Sequence, residues 1–182
     1  MSSDAGVRRV LFVCTANICR SPTAEYLARS RYPAAFWQFR SAGFLETGRS
    51  SSGELIQVLD EAGIDVRTHR SFKVNQASTA AADLILTMQG DHVQGITSLD
   101  PAAYPKTLPL KEAADLLEGR PHDAPAVPID QLLEFVGQQR QPASYLDTTW
   151  DVADPYGRSI RHYRRAVGEI DELLDAVMTR IG

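Results

Sequence analysis

The chain has 182 residues, 43% hydrophobic and 23% charged, the proportions of an ordinary soluble globular protein and a length suited to one domain with a sizeable core. Its net charge of −4 comes with no Lys/Arg block, so there is no basic footprint for nucleic acid. No apolar run approaches the ~18 residues of a membrane span. The two cysteines, Cys14 and Cys19, are too few and too close together for a secreted disulfide framework. A zinc site would need more Cys or His nearby, so no metal is indicated, and nothing calls for another cofactor. The polar stretch Met1–Arg9 followed by the short apolar Val10–Val13 does not make a signal-peptide core, and the expected location is the cytoplasm.

The pattern alternates between strand and helix. Arg8–Val13 is β-branched and apolar, which predicts a buried strand. After a short loop, Ser21-Pro22 reads as an N-cap and first helical residue, with the helix stopped near Arg31 by Tyr32-Pro33. Phe36–Ser41 reads as a second strand, closed by Gly43. Ser51-x-x-Glu54 has the form of a capping box before a helix carrying Leu55, Val58, Leu59 and Ala62 on one face and Gly63 at its end. Asp83–Met88 is a third strand and Thr107–Leu110 a short fourth. Lys111–Leu117 reads as helix. Residues 119–149, with several Pro and Gln, are the least readable part, with a helix read at Ile129–Val136. Ile160, Tyr163, Val167, Ile170, Leu174, Val177 and Ile181 recur at spacings of three and four, the signature of a final amphipathic helix. Such alternation predicts an α/β fold with a parallel sheet covered by helices on both faces. Ligands of such sheets bind outside the carboxyl ends of the strands, which directs attention to the loop after the first strand.

That loop is Cys14-Thr15-Ala16-Asn17-Ile18-Cys19-Arg20-Ser21. A cysteine with an arginine six residues on arises by chance about one time in twenty, given ordinary Arg usage. Its setting between a buried strand and a helix N-terminus adds weight. Backbone N–H groups converge there into a nest for anions, and the helix dipole favours negative charge. The guanidinium of Arg20 can engage two phosphate oxygens at once. The same field favours the thiolate of Cys14, because a thiol at a helix N-terminus beside a cation ionises far more readily than a free one. The plainer alternative is an inert buried cysteine at a strand end.

Val13–Glu25 resembles the signature C-x-G-N-x-C-R-S-P of the low-molecular-weight protein tyrosine phosphatases. The likeness continues in Ser41-Ala42-Gly43, in Gly63-Ile64-Asp65 before His69-Arg70-Ser71, in Ala82–Met88 and in Asp154-Pro155-Tyr156. It is weakest between Gly119 and Thr149, where the chain is longer than the usual form, so the expected organisation is a single phosphatase domain over 1–182 with an insertion around 119–149. The resemblance implies a flavodoxin-like three-layer sandwich around a four-stranded parallel sheet. It implies that Cys14 attacks phosphorus, that Arg20 holds the phosphate, and that Asp154 protonates the leaving oxygen and then activates water. It implies that Asn17, Ser41 and His69 form a hydrogen-bond network holding the phosphate loop open, that Ser21 donates to the Cys14 sulfur, and that Tyr156 is an aromatic wall for the substrate ring. Without it, Asp154-Pro155 reads as a turn before a helix. One departure lies in the loop, where Ala16 replaces the family Gly and positive φ would be costly.

These readings name a phosphorylated protein as substrate and inorganic phosphate as product and inhibitor, with no membrane or nucleic-acid partner. An arsenate reductase of this fold relays oxidation through later cysteines, and none follows Cys19. A protein arginine phosphatase typically has Thr where Ile18 stands. A non-catalytic phosphate-binding module usually lacks the nucleophile or the acid, and both residue types are present. Cys19 is further read as a resolving cysteine that traps oxidised Cys14 as a disulfide, the alternative being a small packing residue behind the loop.

Overall fold

The computed structural model describes residues 6–121, 124–140 and 145–182. The first five residues of the polar N-terminal stretch, and residues 122, 123 and 141–144 of the segment read as an insertion, lie outside that range.

Four parallel strands form one sheet, in the order β2-β1-β3-β4. They are β1 (Arg8–Cys14), β2 (Trp37–Gly43), β3 (Leu84–Thr87) and β4 (Thr107–Pro109). Alternation along β1 splits its side chains between two cores. Val10 and Phe12 face a large cluster with α1 (Arg20–Arg31), α5 (Leu110–Leu117), α6 (Ile129–Gln139) and α7 (Ile160–Met178). Leu11 and Val13 face Ile85, Ile96 and Ala82 on the opposite side, beside α3 (Gln76–Ala81) and α4 (Gly90–Leu99). The expected three-layer sandwich is therefore formed. A third cluster packs Leu55, Val58 and Leu59 of α2 (Gly53–Glu61) against Ile18, Cys19 and Tyr163, which seats the Cys14 loop on two helices.

Several boundaries differ from the sequence expectation for physical reasons. Helix α1 begins at Arg20 with Cys19 at the N-cap position, so Ser21 is not the cap. Its hydroxyl is taken by the loop instead, and Pro22 stays within the first turn, where no N–H is needed. The Ser51–Glu54 capping box does not form: α2 is preceded by Ser52 without a side-chain cap, and the buried Ser51 hydroxyl has no partner among the described residues. A capping box does form at Asn75 and Ser78, opening α3. Gly63 does close α2, at φ +75°. Helices α3 and α4 went unread in the sequence.

The strand order reverses direction between β1 and β3, as the chain leaves β1 for one edge and returns to the other side. Loops on either side of that switch point diverge and leave a crevice at the carboxyl ends. The loop at Cys14 and the segment after β3 border this crevice.

Candidate active site

Residues 15–19 curl between the end of β1 and the start of α1. Asn17 makes the turn possible at φ +54°, and it is the one non-glycine residue with positive φ among the described residues. Asn tolerates this region better than most side chains. Ala16 needs no positive φ, so the missing family glycine costs the backbone nothing there.

The turn brings donors to the Cys14 sulfur. The Asn17 amide N–H donates to it at 3.2 Å, and Ser21 Oγ lies 3.0 Å away. Ser21 has one proton to give, with the Ala42 carbonyl at 3.2 Å as the alternative acceptor. Asn17 is fixed on every side. Its Nδ2 donates to Ser21 Oγ at 2.9 Å and to Ser41 Oγ at 2.8 Å. Its Oδ1 accepts from the Phe72 N–H at 2.8 Å, and its carbonyl meets His69 Nε2 at 2.8 Å. Ser41 in turn donates to the buried Glu25 carboxylate in a short hydrogen bond. The three residues expected to support the loop thus converge on it, with Glu25 as a fourth.

Gly43 backs the same loop. A Cβ there would stand 2.7 Å from Asn17 N and 2.9 Å from Thr15 O, closer than real Cβ contacts come. Both obstacles are backbone, so the loop itself must shift. Gly43→Ala is expected to lower kcat for an aryl phosphate by about 10²-fold, the cost of roughly 1 Å of misplacement. Unchanged circular dichroism would show that the fold survives, and an unchanged kcat would show that the loop accommodates the methyl.

Arg20 is only 2% exposed. Its Nη1 donates to Gln89 Oε1 at 2.8 Å and to the Val152 carbonyl at 3.0 Å. Its Nη2 donates to Asp154 Oδ2 at 2.7 Å and to Thr15 Oγ1 at 3.3 Å. Its buried Nε has no partner among the described residues. Gln89 is itself held by Asp151, which also accepts the Gly90 N–H, each at 3.0 Å. Thr15 Oγ1 lies 3.0 Å from His92 Nε2. Burial and the Arg20 charge push the His92 pKa down to about 3, so this imidazole is neutral at working pH and adds no second cation.

Asp154 sits ahead of α7. Its Oδ1 accepts the Tyr156 N–H at 3.1 Å, so the aspartate orders its own turn while its other oxygen faces Arg20. Tyr156 is 57% exposed, a rim residue rather than a core aromatic. Cys14, Ile18, Arg20, Asp154 and Tyr156 line one pocket of about 140 Å³, joined by Leu45 and Arg49. Cys19 also lines it, but its thiol donates to Tyr163 Oη at 3.6 Å and lies 3.3 Å from Ser52 Oγ. Burial pushes that thiol's pKa up. Both cysteines are free.

Gln89, His92, Asp151 and Glu25 belong to the site and were missed in the sequence. The rule that ligands sit beyond the strand ends could have led to Gln89 and His92, which follow β3 closely. Glu25 carried no such signal.

A family model described as low molecular weight phosphotyrosine protein phosphatase matches residues 9–113, more than half of the chain. A protein-arginine-phosphatase of Geobacillus stearothermophilus is 29% identical over 95% of this chain and 95% of its own. The probable low molecular weight protein-tyrosine-phosphatase EpsP of Ralstonia nicotianae is 27% identical over 96% of this chain and 97% of its own. A solved low molecular weight protein tyrosine phosphatase from T. tengcongensis superposes with TM-score 0.69 at 32% identity, covering 94% and 97% of the two chains. The chain belongs to the low molecular weight phosphotyrosine protein phosphatase family, whose members are cysteine-dependent phosphatases.

Proposed function

We propose that this protein hydrolyses phosphotyrosine in proteins through a phosphocysteine on Cys14. One observation carries the assignment: the Cys14 sulfur, with two hydrogen-bonding groups within 3.2 Å, shares a pocket of about 140 Å³ with Arg20 and Asp154. The Cys14 thiolate attacks phosphorus and an S–P bond forms. The P–O bond to tyrosine breaks, and its electron pair goes to the leaving oxygen, which takes a proton from Asp154. Water then attacks phosphorus and loses a proton to Asp154, the S–P bond breaks back to thiolate, and inorganic phosphate departs. Arg20 and the loop amides hold the transferring oxygens throughout. Free phosphate, as the product, is expected to inhibit competitively. We also infer a single domain over 1–182, since Leu132 and Val136 of the 119–149 segment enter the main core. A cytoplasmic location accords with two free cysteines, which stay reduced there.

Ile18 and Tyr156 favour a flat aromatic ring over a guanidinium, because both line the pocket with apolar surface. Phosphotyrosine peptides are expected to exceed phosphoserine and phosphoarginine peptides in kcat/KM. Tyr156→Ala should lower kcat/KM for aryl phosphates several-fold, as ring stacking is worth about 0.5–1.5 kcal/mol. Phosphoarginine is the second reading, supported by the likeness to the Geobacillus arginine phosphatase over nearly the whole chain. Faster turnover of phosphoarginine than of phosphotyrosine would establish it.

We also propose that Cys19 protects Cys14 from irreversible oxidation by closing a disulfide on its sulfenic acid, with water released. After peroxide and then dithiothreitol, wild type is expected to regain activity and Cys19→Ser to stay inactive. Equal recovery would reduce Cys19 to its contacts with Ser52 and Tyr163.

A further inference from the structure

A cavity of about 560 Å³ lies away from the Cys14 pocket, at the β2 edge of the sheet, between α1, α3 and the segment around His69. Arg9, Arg29, Arg40 and Arg70 line it, against a single carboxylate, Glu25. Four guanidinium groups in one place stand out in a chain of net charge −4. The side chains of Arg9 and Arg40 are exposed and make no hydrogen bond or ion pair among the described residues. Among the described residues, Arg70 donates to the Arg67 and His69 carbonyls and to no carboxylate. Glu25 is already paired with Arg29 at 2.6 Å. The nearby Asp83 carboxylate accepts the Arg9 backbone N–H. The cavity therefore holds uncompensated positive charge over a floor that includes Leu11 and Phe72.

We propose that this cavity is a second anion site, for a small molecule carrying at least two phosphate groups. Guanidinium forks match phosphate oxygens in pairs, and their spread around the cavity calls for more than one anionic centre. Its volume falls within the range of ordinary ligand pockets.

Occupation reaches the phosphate loop through residues shared by both places. Glu25, Ser41 and His69 line the cavity. Ser41 donates to Glu25 and accepts from Asn17, and His69 meets the Asn17 carbonyl. A ligand that draws Arg29 away from Glu25 alters the acceptor on which Ser41 rests, and Asn17 with it. The bound state then differs from the free one at the residue that turns the loop, which is the differential contact that coupling requires.

The probe is inorganic pyrophosphate, titrated calorimetrically into protein whose Cys14 pocket is filled with saturating benzylphosphonate. Wild type is expected to bind one equivalent. The double variant Arg9→Ala/Arg40→Ala should bind about tenfold more weakly or worse, having lost two charge-assisted contacts. Without pyrophosphate, the double variant should hydrolyse an aryl phosphate at the wild-type rate, which shows that it folds. In wild type, pyrophosphate should also change kcat at saturating substrate, which competition at Cys14 cannot do. No binding with the pocket blocked, equal affinity in the double variant, or equally tight binding of citrate would overturn the site or its phosphate class. Binding with unchanged kcat would overturn the coupling. The binding measurement is independent of activity, so it stands apart from the assignment of phosphotyrosine as substrate.

Discussion

Cys14→Ser is expected to lower aryl-phosphate hydrolysis on the order of 10⁵–10⁶-fold, the scale of loss when a covalent nucleophile is removed. A serine hydroxyl could occupy the same place near the Asn17 N–H and Ser21, but it is not ionised at neutral pH, and these two hydrogen-bond neighbours, an amide and a hydroxyl, are not bases. The pocket would keep Arg20 and its partners Gln89, Thr15 and Asp154, so phosphate should still bind. Loss of turnover with retained phosphate binding, measured by single-turnover assay and calorimetry on the same preparation, separates chemistry from folding. Appreciable turnover by pure Cys14→Ser protein would exclude a phosphocysteine at this position.

Asp154→Asn is expected to cost about 10²–10⁴-fold in kcat/KM on a phenyl phosphate with a poor leaving group. The loss should shrink as the leaving group becomes more acidic, since a stable phenolate departs without a proton. The amide is nearly isosteric and can still accept the Tyr156 N–H, so the turn ahead of α7 is retained. A plot of log kcat/KM against leaving-group pKa, which reports phosphoryl transfer to Cys14 and not the later hydrolysis, should therefore be steep for the variant and shallow for wild type. Parallel lines would remove Asp154 from the role of acid toward the leaving oxygen.

The readable parts of the fold are those where local pattern and tertiary demand agree. Strand β1 is an unbroken β-branched and apolar run, and α7 repeats its apolar face over five turns. Helix α3 is Gln-Ala-Ser-Thr-Ala-Ala with Thr79 as its one buried residue, so it offers no apolar stripe to detect. Helix α4 contains two glycines, and its first N–H is capped by Asp151 from 61 residues away. No window of local sequence contains that partner. The site divides in the same way. Cys14, Asn17 and Arg20 sit in one continuous loop, and their spacing carries their geometry. Glu25 and His92 reach the loop only through folding, one from the buried side of α1 and one from α4. The misreading of Ser21 as a helix cap has the same origin: a hydroxyl suited to capping was taken by the sulfur seven residues earlier.

The ion pair between Arg20 and Asp154 makes the free site its own first ligand. A carboxylate already lies 2.7 Å from the guanidinium, so an arriving phosphate monoester exchanges one anion for another instead of filling a bare cation. Affinity for phosphate is thereby held down, since part of the attraction is given back in separating the pair. In the proposed mechanism the same exchange parts Asp154 from the guanidinium, so that its carboxyl, once it carries a proton, can turn toward the leaving oxygen. When product loosens, the carboxylate can return to Arg20 and help displace it, so one side chain serves as gatekeeper on entry and as ejector on release.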